Sequence, residues 1–245
     1  MADVFGEVAA SYDDARPGYP PALAGSILAY HGRTPSRLVE VGAGTGLATR
    51  ALLAVGAPMT CVEPDPRMAT VLAARFPAVE VVPVRFEAWP PPPGGVPVLA
   101  CAMAWHWLDP ATRCARACDA LAPGGTLAVL AHCYDYVDPA QGAAIRAAFE
   151  SADPVGQADR PDGWFGAEIT ASGLFTDVRT ESFRRDEPLS TAAYQRLVST
   201  FSPQLRRPPA LRERVLAAVG ATVDGFGGTV TLDLRTTLVL ARRPG

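Results

Sequence analysis

Leu38-Val39-Glu40-Val41-Gly42-Ala43-Gly44-Thr45-Gly46 decides the fold of this 245-residue chain. An apolar run carrying one carboxylate leads into three glycines that alternate with small residues, and residues 47–53 continue as an amphipathic helix. The order is strand, tight turn, helix start, the place where an open α/β sheet binds a nucleotide-like ligand. Glycine at such a turn permits positive φ and lets a ligand approach the main chain. A dinucleotide fingerprint needs G-x-G-x-x-G, and here Gly42 and Gly44 fit its first two positions while Leu47 stands at the third. The pattern present is E-x-G-x-G-x-G. Taken alone, the glycines are also compatible with a tight turn that holds no ligand.

Outward from this stretch, apolar runs alternate with helical patterns, which predicts a mostly parallel sheet with helices on both faces. Strands are expected at 37–41, 59–63, 79–84, 96–103 and 125–132, and helices at 21–31, 47–55, 66–75, 110–121 and 140–151. The Pro90–Pro93 run before Gly94 and Gly95 reads as a rigid surface loop. In the last third, 175–183 and 229–241 resemble a late strand pair, with helical stretches at 191–198 and 209–219 broken by prolines. No internal repeat is visible.

Composition narrows the function. Apolar residues at 49% and charged residues at 19% fit a single soluble α/β domain with an elaboration. A net charge of -3 gives no reason to expect nucleic acid as the main partner. All 22 basic residues are arginine, so lysine Schiff-base chemistry is excluded. Residues 1–12 carry acids and no basic run, and no window is apolar enough for a membrane span, so the expectation is a cytoplasmic protein. The five cysteines include no CxxC pair and read as reduced structural thiols, and no metal site is legible among three scattered histidines.

Further candidates follow the predicted strands. Glu63 lies 21 residues after Gly42, where a carboxylate can accept both ribose hydroxyls. Asp65 and Pro66 read as a helix N-cap and first turn. Phe86 and Glu87 follow the third strand. Ala104-Trp105-His106-Trp107 follows the fourth, with Asp109 as the cap of the next helix. The aromatic pair there is either a water-poor pocket with a general base or a structural corner with a satisfied histidine. Leu121-Ala122-Pro123-Gly124-Gly125 is a helix stop and turn, and His132 to Tyr136 leave the fifth strand at the same edge.

The glycine loop, Glu63, Phe86-Glu87, His106-Trp107, the Pro123-Gly124-Gly125 turn and the Tyr12–Pro20 segment resemble, in their order, the small-molecule branch of class I S-adenosylmethionine (SAM)-dependent methyltransferases, the methyltransferase type 11 group. The likeness spans about residues 4–135. One departure is Val96-Pro97-Val98, where many relatives open the fourth strand with F-D. The resemblance implies a Rossmann-like seven-stranded sheet with an antiparallel last strand and a helical lid insertion. It implies one domain over 1–245: a helical cover at 1–36, a cofactor-binding core at 37–135, acceptor-site and lid elements with the sixth strand at 136–228, and a final strand at 229–245.

The same resemblance implies a SAM site formed by Tyr12, Arg16, Glu40, Gly42, Ala43, Gly44, Gly46, Glu63, Pro64, Phe86, Glu87 and Ala104, with Arg16 pairing the methionine carboxylate. The acceptor site would use Trp105, His106, Trp107, Tyr134 and Phe201, and the groups able to assist proton removal would be His106, Tyr12 and His132. S-adenosylhomocysteine would be the product. The expected acceptor is a small molecule methylated on oxygen, nitrogen or carbon, by a monomer or homodimer, with neither nucleic acid nor membrane as partner. Two other outcomes stay open: a protein of this fold that uses bound SAM for a non-methylating reaction such as cyclisation, and a non-catalytic ligand-binding protein.

Overall fold

The computed structural model describes residues 15–153 and 163–245. Seven strands form one sheet: β1 (Leu38–Val41), β2 (Met59–Val62), β3 (Glu80–Val82), β4 (Val96–Ala102), β5 (Leu121–Tyr136), β6 (Thr176–Ser190) and β7 (Thr229–Arg242). Their order across the sheet is β3-β2-β1-β4-β5-β7-β6, with β7 antiparallel to both neighbours and every other described pairing parallel. This is the Rossmann-like architecture that the sequence predicts.

The helices are α1 (Leu23–His31), α2 (Leu47–Leu52), α3 (Pro66–Arg75), α4 (Arg113–Ala120), α5 (Pro139–Ala152), α6 (Trp164–Ala171), α7 (Thr191–Ser199), α8 (Ser202–Arg206) and α9 (Pro209–Gly225). Asp65 caps α3 by accepting from the Arg67 N–H, with Pro66 in the first turn, and Asp138 caps α5 in the same way. Residues 53–55 tighten into a 3-10 turn and Gly56 ends the segment in the left-handed region.

All four residues of β1 are buried, as expected of a strand covered on both faces. Its alternation splits the core. Leu38 joins Leu23, Ile27, Leu52 and Leu238 on one side, whereas Val39 and Val41 join Leu99, Ala117, Phe165 and Ile169 on the other. Glu40 faces the first side with the apolar set, and that placement governs its chemistry below. A third cluster, with Ile145, Tyr194, Leu197, Val219, Val223 and Leu232, packs α5, α7 and α9 against the far ends of β5 and β7. Helices α7 to α9 lie between β6 and β7 in the chain.

Two strands outrun expectation. β5 starts at Leu121, where it pairs with Val96 of β4, and runs to Tyr136 because β7 pairs along it from Thr126 to Tyr136. β6 continues through Arg184-Arg185-Asp186-Glu187-Pro188 to Ser190. That charged stretch has the composition of a turn, but it belongs to a sheet edge, where charges and proline are tolerated because one side of the strand stays unpaired.

Candidate functional site

The carboxyl ends of the parallel strands open onto a cavity of about 390 Å³. Gly42 and Gly44, both at positive φ, carry the chain from β1 into α2. The Gly42 N–H donates to the Val62 carbonyl at 2.8 Å, which ties the elbow to the end of β2. A Cβ on Gly42 would stand 2.4 Å from the Ala104 Cβ, so only glycine lets the loop after β4 approach. At Gly44 the nearest atom to such a Cβ is the Met68 sulfur at 3.9 Å, leaving open space over the main chain for a ligand.

Glu63 lies directly against this elbow. One carboxylate oxygen accepts from the Gly44 N–H at 2.8 Å and the other from the Asp65 N–H at 2.9 Å. Each oxygen has a further lone pair, and the residue lines the cavity while only 4% exposed. Burial pushes its carboxyl above the usual range, opposed by the two backbone donors. Glu40 lies deeper. Its carboxylate accepts from the Thr49 hydroxyl at 2.5 Å and sits 3.6 Å from the Cys61 thiol. Burial raises its pKa from 4.5 to about 7.

Ala43, Pro64, Phe86, Glu87 and Ala104 also line the cavity. Phe86 is buried against Trp89, and the Arg116 guanidinium donates to the Phe86 and Trp89 carbonyls at 3.0 and 2.8 Å. Gly46 is a correction. It is not in the cavity wall, and a Cβ there would meet the Phe76 ring at 2.4 Å and Leu72 at 2.7 Å, so its glycine serves the packing of α2 on α3. Tyr12 lies outside the described residues.

Arg16, His106, Trp107, His132, Tyr134 and Phe201 line the same cavity, and Arg16 also stands with Leu47 and Arg50 of α2. The His106 and Trp107 rings sit 4.7 Å apart and tilted. Arg16 lies over the Phe201 ring, 5.3 Å from its centre, and donates to the Thr200 hydroxyl and carbonyl, both at 3.0 Å. Trp105 is a second correction. Successive residues of a 3-10 turn point about a third of a turn apart, and Trp105 points into the core. Its indole N–H donates to Glu168 at 2.8 Å beside Arg113, which also donates to the Trp105 carbonyl at 3.1 Å.

His132 is deeply buried. Burial first, then the Arg16 and Arg185 charges, push its pKa down to about 3, with the Pro17 carbonyl pulling weakly the other way. The ring is therefore neutral near neutrality, stacked on Tyr19 in the cavity wall.

The structure adds lining residues that the sequence does not single out as contacts: Tyr19, stacked on His132 at 4.3 Å, Arg85, Met103, Ser202 and Pro203. Met103 carried a usable signal only in its place at a strand end, and its positive φ of 52° appears in the backbone alone.

The profile of the family described as "Methyltransferase domain" matches residues 39–129. An uncharacterized methyltransferase of Mycobacterium tuberculosis is 34% identical over 130 residues, which cover 53% of this chain and 52% of that protein. The chain thus spans about half the length of that relative. An uncharacterized methyltransferase of Schizosaccharomyces pombe is 24% identical over 221 residues, covering 85% of this chain and 82% of the relative. Among solved structures, a candidate type II methyltransferase of Anaeromyxobacter dehalogenans superposes with a TM-score of 0.69 at 19% identity, covering 94% of this chain and 99% of that one. A Haemonchus contortus phosphoethanolamine N-methyltransferase in complex with SAM gives 0.55 at 14% identity, covering 98% and 57%. These likenesses to solved structures bear on the fold.

Proposed function

We propose, from the premise that this chain belongs to the class I SAM-dependent methyltransferases, that it moves a methyl group from SAM to a small-molecule acceptor. The observation that carries this reading is the contact between Glu63 and the glycine elbow in the wall of the cavity. The residues present fit the nucleoside. Glu63 keeps lone pairs for ribose hydroxyls, Phe86 and Glu87 line the cavity and are read as the flank of the adenine, and the open main chain at Gly44 leaves room for the amino-acid end.

SAM supplies a methyl on a sulfonium leaving group, so the chemistry needs alignment and dryness more than bond activation. Trp107, Tyr134 and Phe201 exclude water at the acceptor end, and the cavity's size suits a small molecule rather than a polymer. His106 lines the cavity and is the residue proposed for proton removal where an acceptor requires it, with Tyr12 and His132 the other candidates. Among the described residues no helix is long and apolar enough to cross a membrane.

The test is calorimetric titration with SAM and with S-adenosylhomocysteine, followed by transfer of labelled methyl from SAM to a metabolite extract. Binding of both nucleosides together with a labelled product is expected. Absence of binding overturns the reading. An acceptor whose mass is unchanged after turnover would instead point to a non-methylating reaction.

A further inference from the structure

β6 is the last strand of the sheet, and among the described residues no strand pairs with its outer side. Its ladder with β7 is regular from Arg179↔Leu240 to Ser190↔Thr229. One step on, the Thr191 N–H donates to the Gly228 carbonyl at 3.1 Å. Main-chain groups of an antiparallel strand turn alternately to one side and the other. Odd-numbered residues of β6 therefore spend theirs on β7, and Thr180, Ser182, Arg184 and Asp186 direct their N–H and C=O groups outward. These residues are all exposed.

A long open edge invites foreign strands and is usually defended by charge. Here the charges have an order. Arg179, Glu181, Arg185 and Glu187 share one face of the strand, the face on which the Ser26 hydroxyl of α1 donates to Glu181 at 2.5 Å. Phe183 stands at their centre. An identical strand laid antiparallel about Phe183 puts Arg179 opposite Glu187 and Glu181 opposite Arg185, each twice by symmetry. Moving the axis by one residue places Arg179 opposite Arg185, or Glu181 opposite Glu187, and like charges directly opposite oppose pairing. On the other face the same register sets Arg184 opposite Ser182 and Asp186 opposite Thr180, with no like charges.

The pairing asks no existing contact to break. Arg179 pairs with Asp177 at 2.9 Å and Arg185 with Glu187 at 3.1 Å, both along the strand. Arg179 also lies over the Tyr30 ring, and Arg185 donates to the Gly18 carbonyl at 3.2 Å. A guanidinium has five donors and a carboxylate about four lone-pair sites, so each can take a partner across the edge as well. Every charge of the face then meets the opposite sign both along its own strand and across.

We propose that the outer edge of β6 is a homodimer interface, in which two copies of this chain pair their sixth strands antiparallel about a two-fold axis at Phe183 and join their sheets into one. Such an interface is isologous and self-complementary. Exposed ion pairs are individually weak, so the outward main-chain groups supply the association and the charges select its register. The same charges turn away strands of another pattern.

The experiment is sedimentation equilibrium of the full chain. At about 100 µM the wild type should be a dimer, as a micromolar interface requires. Arg179→Glu alone and Glu187→Arg alone each set like charges opposite one another twice, and each should weaken self-association at least about tenfold. Mixed in equal amounts, the two variants should recover wild-type dimerisation, because both reversed positions then meet an opposite charge. The double variant Arg179→Glu/Glu187→Arg should also dimerise alone. A role confined to one chain, or a variant that fails to fold, could not be rescued by mixing. A monomeric wild type overturns the proposal. So does a dimer that both single reversals leave intact, or a loss that mixing does not restore.

Discussion

Replacing Glu40 with Gln tests the account of the first strand most directly, because the structure fixes both sign and size of the effect. The folded chain keeps the Glu40 proton up to about pH 7, whereas an exposed carboxyl loses it near 4.5. The stability tied to this proton is fully present below about pH 4.5, drains away as pH rises to 7, and is flat above. At 1.36 kcal/mol for each pH unit between the two values, the wild type carries about 3 kcal/mol of penalty at pH 8. Gln has no charge to bury, and its amide oxygen still accepts from the Thr49 hydroxyl.

Glu40→Gln should therefore match the wild type at pH 4.5 and exceed it by about 3 kcal/mol at pH 8, a rise in Tm of roughly 6–12 °C for a chain of this length. His132 works in the opposite direction. The unfolded chain takes up a proton below 6.5 that the folded one refuses until about 3, so stability falls as pH drops through that window. The informative quantity is thus the difference between variant and wild type at each pH, in which His132 cancels. Urea denaturation from pH 4.5 to 8 measures it, and a difference that stays level across the range refutes the reasoning.

Three further outcomes follow from the site. Glu63→Gln turns one acceptor oxygen into a donor facing a backbone N–H, so it should weaken SAM binding about tenfold to a hundredfold by calorimetry. Gly42→Ala puts a side chain at a φ of 67° and 2.4 Å from the Ala104 Cβ. It should cost about 2–4 kcal/mol in urea unfolding, and Gly42→Ala with Ala104→Gly should recover the contact part but not the backbone part. Arg113→Met leaves Glu168 and the Trp105 carbonyl without their cation and should cost about 3 kcal/mol. Adding Glu168→Gln should return a share of that, as read by the same denaturation curves.

How far the sequence carries can be argued from Trp105 and Glu63. Glu63 was legible because strand, elbow and next strand are local in the chain, and the parallel register Glu40↔Cys61 leaves little freedom in where the end of β2 meets the glycines. Trp105-His106-Trp107 was legible as a corner but not as a set of directions. Which ring faces the cavity depends on Arg113 and Glu168, eight and sixty-three residues away, whose ion pair turns the Trp105 indole inward. Gly46 failed for the same reason, since Phe76 on the next helix decides what its missing Cβ makes room for.

The histidines show the limit most sharply. By residue type alone His106 and His132 are equal candidates for a base near neutrality. Their difference is made by elements far apart in sequence: β7 supplies Thr236, the N-terminal cover supplies Tyr19 and Arg16, and β6 supplies Arg185. Thr236 is brought opposite His132 because the last strand enters the sheet antiparallel between β5 and β6, whereas Tyr19 and Arg16 arrive from the N-terminal segment. Together these neighbours keep the His132 ring neutral, which its residue type alone does not tell.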